Sequence, residues 1–223
     1  MSATTRALAA EFGGTATLLA IVIGSGVMGE RLSDGNIAIA LLANALATGF
    51  GLYVLITSLG PISGAHFNPL VTLMQRLRGE PLAAPWPLML LAQFGGALVG
   101  VVLAHAMFDL PLLQTSTKLR ASAGLWLSEV VATLGLLATI LLAARASLDS
   151  VAARIGAYIT AAYWFTASTS FANPAVTVAR MFSDTFAGIA PMSAPAFVAA
   201  QLIGLGLVLT VSRLAHSASS GAR

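Results

Sequence analysis

The chain of 223 residues contains no cysteine, and only 9% of it is charged. The absence of cysteine excludes disulfides, thiolate catalysis and cysteine metal sites, and leaves the redox compartment open. A soluble globular domain carries about 25% charged residues, so the scarcity of charge places this sequence outside that class. Basic residues outnumber acidic ones by three in formal charge, but eleven Lys and Arg spread over the whole length form no basic face. Nucleic acid is therefore not an expected partner. What remains is apolar: 57% of residues are hydrophobic and mean hydropathy is strongly positive. A chain of this length and composition has room for about six membrane spans of roughly 20 residues each.

Apolar stretches fall at about 7–28, 37–59, 86–108, 123–144, 151–168 and 195–215. The fifth is the weakest, being short and carrying Arg154 near its start. No A-x-A cleavage site follows the first run, and Phe12 to Met28 is long enough to remain as a span. Segments 62–78 and 170–182 are too short to cross a bilayer and too apolar for ordinary loops, which suits re-entrant half-helices. The small polar tail 217–223 reads as disordered.

Each of those two segments holds one copy of a motif. Asn68-Pro69-Leu70-Val71-Thr72 returns as Asn173-Pro174-Ala175-Val176-Thr177. Asn is a favoured helix N-cap, and Pro is favoured at the first helical position, where its missing N–H is no loss. Both motifs therefore read as helix starts buried at membrane depth, and paired interruptions of this kind point to a solute site at the midplane. Further repeats support two related halves. Ala10-Glu11-Phe12-Gly13-Gly14-Thr15 parallels Ser128-Glu129-Val130-Val131-Ala132-Thr133, and Ala92-Gln93-Phe94-Gly95-Gly96 parallels Ala200-Gln201-Leu202-Ile203-Gly204. Three spans per half is an odd number, so the second half, about 123–215, must lie inverted relative to the first, about 7–108. Both belong to one channel-type domain over residues 1–223. With the N-terminus inside, Arg6, Arg76, Arg78, Arg145, Arg154, Arg213 and Arg223 face the cytoplasm, against Arg31, Lys118, Arg120 and Arg180 outside, which favours both termini in.

The carboxamides of Asn68 and Asn173 are able to cap with oxygen and offer NH2 to a passing hydroxyl or water. The positive ends of both half-helices disfavour cations and protons. The residues leading into the motifs must be extended, with backbone carbonyls that need a polar cavity: Gly64, Ala65 and His66 in the first copy, Thr169, Ser170 and Phe171 in the second. A ladder of acceptors beside an apolar wall suits small neutral hydroxylated solutes. His66 reads as a packed, hydrogen-bonded histidine in preference to a pore ligand or pH sensor. It has no carboxylate or cysteine neighbours in sequence that would make it a metal site, and no cofactor is implied. Glu11 and Glu129 are the acids placed well inside spans; a proton relay is the sharper reading. Acceptance of backbone hydrogen bonds from the re-entrant loops is the preferred one, with Gln93 and Gln201 bracing the same loops. Gly95-Gly96, Gly204 and Gly206 read as sites of close helix packing.

The run Ser63-Gly64-Ala65-His66-Phe67-Asn68-Pro69, the second Asn173-Pro174-Ala175, and the paired Glu and Gln positions resemble the aquaporin family (major intrinsic proteins) over about residues 7–215. The resemblance implies an all-α membrane fold of six transmembrane helices plus two half-helices, a pore in each protomer, a homotetramer, and a channel rather than an enzyme. It also implies loop support by Glu11 and Glu129. The chain departs from the family where an arginine and an aromatic residue usually line the constriction: Val176 and Thr48 stand there, with Ala161 and Ser170 at the other two positions. Leu70 replaces the usual alanine of the first motif. Arg180, one turn beyond Val176, reads as a surface residue near the outer mouth, with a substitute constriction arginine as the lesser alternative. Exclusion of cations then falls mainly to the half-helix ends. The pattern is similar to bacterial aquaglyceroporins associated with arsenic-resistance operons, and implies passage of glycerol and metalloid hydroxides such as arsenite, with methylated arsenicals and water. A water-selective pore and an ion-coupled transporter are the alternatives. The second would need ion ligands at the midplane, where only neutral Asn sits. A rhomboid-type protease is excluded by the lack of a Gly-x-Ser-Gly tetrapeptide. The bacterial inner membrane is the expected location.

Overall fold

The computed structural model describes residues 1–144 and 146–220, with side chains described to Leu214. Among the described residues every regular element is helical: α1 Ala3–Leu32, α2 Ile37–Ser63, α3 Pro69–Leu77, α4 Trp86–Met107, α5 Ala123–Leu142, α6 Leu148–Phe165, α7 Pro174–Arg180 and α8 Ala194–Ser220. Five of these, α1, α2, α4, α5 and α8, are long and apolar enough to cross a membrane. Helix α6 has 18 residues and carries Asp149 and Arg154, and so falls short of the same measure. It nonetheless packs on α2 and α5 as a member of the bundle. The polar tail is helical as far as Ser220, which corrects the expectation of disorder from 217; the rest of that tail, with Arg223 and with Arg145 of the orientation argument, lies outside the described residues.

Helix starts follow local capping chemistry. The side chains of Ser2, Asn36, Ser122 and Ser147 accept backbone N–H bonds at the starts of α1, α2, α5 and α6. Asn68 and Asn173 do the same for the short α3 and α7, each followed by proline at the first position. Two helices of nine and seven residues would not persist in isolation. They persist because they are buried: Leu70 and Met74 of α3 pack with Leu137, Leu205 and Val208, and Ala175 and Ala179 of α7 sit in the main core cluster.

Close approach of α1 and α4 is set by glycine. A methyl group on Gly96 would overlap the carbonyl of Phe12, and one on Gly100 would overlap the carbonyl of Ala16. Gly204 comes similarly close to Val130 on α5, whereas Gly206 has open space around it, so its expected packing role is not seen. Small residues let helices pack where no hydrophobic drive separates side chain from lipid. The outer surface carries large apolar side chains, among them Phe50, Leu91, Leu127, Trp126 and Phe165.

Candidate functional site: a pore between two half-helices

The two half-helices meet through their caps. Asn68 uses its Oδ1 to accept the amide of Leu70 at 2.9 Å and its Nδ2 to donate to the carbonyl of Ala172 at 2.8 Å. Asn173 accepts the amides of Ala175 and Val176, and donates to the carbonyl of Phe67 at 2.8 Å. Each carboxamide thus caps its own helix and holds the opposite loop, which leaves one N–H of each Nδ2 over.

The loops leading into the motifs are strained in matching places. Gly64, Ala65 and Phe67 have positive φ (90°, 51° and 48°), and so do Thr169, Ser170 and Ala172 (62°, 50° and 46°). Five of these six are not glycine, and each such residue costs about 1 kcal/mol or more. Buried carboxylates hold them. Glu11 accepts the amides of His66 (2.9 Å) and Phe67 (2.8 Å), the hydroxyl of Ser63 (2.6 Å) and the amide of Gln93 (2.8 Å). Glu129 accepts the amides of Phe171 and Ala172, both at 2.9 Å, and that of Gln201 at 2.6 Å. Gln93 and Gln201 each donate again, to Thr72 and Thr177 of the two motifs. The two halves repeat one hydrogen-bonding scheme, carboxylate to two loop amides and to a glutamine that also bonds the motif threonine, with the Ser63 hydroxyl an addition in the first half. His66 bonds Thr72 through Nδ1 at 2.9 Å and lines the cavity as well.

A single cavity of about 540 Å³ passes both asparagines. Its walls are stripes at helical spacing: Thr48, Leu52 and Ile56 from α2; Leu148, Val151, Ile155, Ile159 and Tyr163 from α6; Leu18 and Val22 from α1. Gly64, Ala65, His66, Ser170, Phe171 and Val176 line it as the sequence suggests, while Thr169 is not among its lining residues. Pro69, Leu70, Pro174 and Ala175 of the motifs also stand outside the lining. Leu70 is fully buried against α5 and α8, so its departure from alanine changes packing and not the pore wall.

Two expectations about the constriction are corrected. Ala161 lies on the exposed side of α6, off the stripe that runs through Ile159 and Tyr163, and does not reach the cavity. Tyr163 faces it instead, with its hydroxyl 3.3 Å from Thr48 Oγ1. Arg180 is not on the surface: it is 2% exposed and lines the cavity one helical turn beyond Val176. Its Nε donates to the carbonyl of Ala187, and its guanidinium lies 3.4 Å from the ring centroid of Phe171. The segment after α7 folds back over it, which sequence position alone did not reveal. The signal was present in the i, i+4 relation of Val176 and Arg180. A second guanidinium, that of Arg120, stands 5.1 Å from the same ring and donates to the carbonyls of Gly188 and Ser168. On the same rim, burial and then the neighbouring Arg120 charge hold the Lys118 ammonium below its ordinary range. The positive field thought to be missing from this end of the pore is present.

A helical bundle crossed by two half-helices, with a cavity between their capping asparagines, is the architecture of a membrane channel. The description "Major intrinsic protein" matches residues 1–147, and the chain belongs to that family, whose members are multi-pass channels and not enzymes. It is 51% identical to aquaglyceroporin AqpS of Rhizobium meliloti (strain 1021), over 94% of this chain and 89% of that protein. It is 28% identical to the probable aquaporin TIP2-2 of Oryza sativa subsp. japonica, over 96% of this chain and 89% of the relative. The fold matches the X-ray structure of the aquaglyceroporin from Plasmodium falciparum with a TM-score of 0.64 at 22% identity, covering 92% and 93% of the two chains.

Proposed function

We propose that this protein is a passive channel for small uncharged solutes, conducting glycerol and neutral metalloid hydroxides such as arsenous acid, with methylated arsenicals and water. The observation that carries this reading is the continuous cavity from Arg78 and Glu80 at one end to Arg180 at the other, past Asn68 and Asn173. One wall is apolar and the other offers amide donors and loop carbonyls, so a hydroxylated solute exchanges its water shell for fixed partners. Thr48 and Val176 present small side chains to the passage, although the ring of Tyr163 faces it beside Thr48 and Arg180 stands one turn beyond Val176; the small pair supports solutes larger than water. Aquaglyceroporin relatives support the same solute class.

Coupling to an ion gradient is disfavoured by the acids. Glu11 and Glu129 are completely buried and each accepts at least three hydrogen bonds, so neither is free to bind a travelling cation. The channel is proposed to act as a homotetramer in the bacterial inner membrane, with both termini in the cytoplasm and residues 1–223 forming one channel domain. The charge distribution supports that orientation, and the large apolar side chains on the outer faces of the bundle support contact with lipid and with neighbouring copies.

Stopped-flow light scattering on vesicles containing the purified protein, with a panel of water, glycerol, urea and arsenous acid, tests the proposal. Glycerol and arsenous acid entering no faster than through protein-free vesicles would refute it.

A further inference from the structure

Arg180 poses a physical problem that neutral-solute transport does not use. A guanidinium is always charged, and burying it without a counter-ion is expensive. No acid lies within ion-pairing distance of Arg180 among the described residues. The nearby carboxylate of Glu129 is taken up by Phe171, Ala172 and Gln201. The partners of Arg180 are one carbonyl through Nε and the face of Phe171. Among the described residues its one side-chain hydrogen bond is made through Nε, so the terminal amino groups have no protein acceptor there, and the side chain lines the cavity.

A second free polar group sits next to that ring. Ser170 is 3% exposed and lines the cavity, and its Oγ is buried with no hydrogen-bond partner. The charge is reinforced and not offset by Arg120, which stacks on Phe171 as well. This part of the pore therefore holds an unpaired planar fork of donors, an unpaired hydroxyl and a net positive field. The ligand such a set satisfies carries one negative charge and two adjacent oxygens, because two parallel N–H···O⁻ bonds are stronger and more directional than bonds to a neutral hydroxyl.

We propose that Arg180 and Ser170 form a binding subsite for small monoanionic oxyacids in the outer half of the pore, one helical turn beyond Val176. The subsite rests on the channel reading above and adds to it. An anion held there occupies the path of neutral solutes, so it slows their flux.

Methanesulfonate is a suitable probe: it is tetrahedral, permanently monoanionic, and matched in size by neutral dimethyl sulfone. Glycerol flux is measured in vesicles of the full chain with each compound at equal osmolarity. Methanesulfonate is expected to slow glycerol saturably, and dimethyl sulfone much less. Arg180→Gln keeps a donor for Ala187 but removes the charge, and should raise the half-inhibiting concentration about tenfold, the loss of one charge-assisted interaction. Arg180→Lys should keep part of the inhibition, and Ser170→Ala should weaken it several-fold, each referred to its own uninhibited flux. Ser170→Ala carries the test alone if the arginine variants do not reach the membrane. Equal inhibition by the two probes, or inhibition unchanged in both Arg180→Gln and Ser170→Ala, overturns the subsite. Glycerol flux that methanesulfonate leaves untouched removes the subsite while the channel stands; absence of glycerol flux removes the channel itself.

Discussion

Asn68 donates to the carbonyl of Ala172, the residue immediately before the other capping asparagine, and Asn173 returns the bond to Phe67, immediately before Asn68. The midplane is thus a closed four-residue circuit in which each half-helix cap is locked by the loop of the opposite half. The two asparagines are structural clamps, and in the proposed channel they are solute donors as well.

Replacing either with leucine removes a cap worth about 1 kcal/mol and a cross-loop hydrogen bond of similar size, and leaves a buried carbonyl unpaired. Asn68→Leu and Asn173→Leu should each cut solute flux strongly and lower the melting temperature of the purified protein. Normal flux at normal membrane abundance in both variants would disprove the midplane assignment.

Glu11→Leu strips the acceptor from His66, Phe67, Ser63 and Gln93 together. With each buried unpaired donor costing about 1–3 kcal/mol, the loop should lose its strained form and the protein much of its stability. Glu129→Leu should behave alike. Fluorescence-detected gel filtration after a heating series reads the loss; a variant as heat-resistant as the parent would show that these carboxylates do not hold the loops.

Restoring the usual constriction residues tests the width of the pore. Val176→Arg with Thr48→Phe should reduce glycerol and arsenous acid flux while sparing water, because a ring and a second guanidinium would enter the cavity beside Arg180 and Tyr163. Uniform loss of all solutes would indicate a damaged protein. Unchanged glycerol flux would locate the narrowest point elsewhere.

Gly100→Leu is expected to prevent membrane accumulation, because even a methyl group there meets the Ala16 backbone. Backbone on α1 cannot yield as a side chain can. Gly206→Leu, with nothing nearby, should accumulate like the parent. The two are compared by quantitative blotting of membrane fractions.

Much of this site was legible in the sequence because its parts are polar residues in apolar surroundings. Asn68, Asn173, Glu11, Glu129, Gln93 and Gln201 stand out for that reason, and the structure gives all six direct roles at the two loops. The constriction was harder. The family resemblance puts Ala161 at a constriction position by its distance from Asn173, but residues before a half-helix do not keep a fixed register with the span before them. The α6 stripe Leu148, Val151, Ile155, Ile159, Tyr163 has its own periodicity, and Ala161 falls off it. Arg180 was misplaced for a different reason: its burial depends on Ala187 and Phe171, contacts made by a returning loop that no local pattern encodes.

The circuit between Asn68 and Ala172 also sets an order of events in time. Residues 64–68 are synthesised long before 172, so the first loop must enter the bilayer with its Asn68 donor unclaimed and its left-handed residues unsupported from the far side. Glu11 and Gln93 are already present to steady it, which makes the first three spans a waiting platform. The second half closes on that platform from the opposite face, and the lumen comes into being only at that last step.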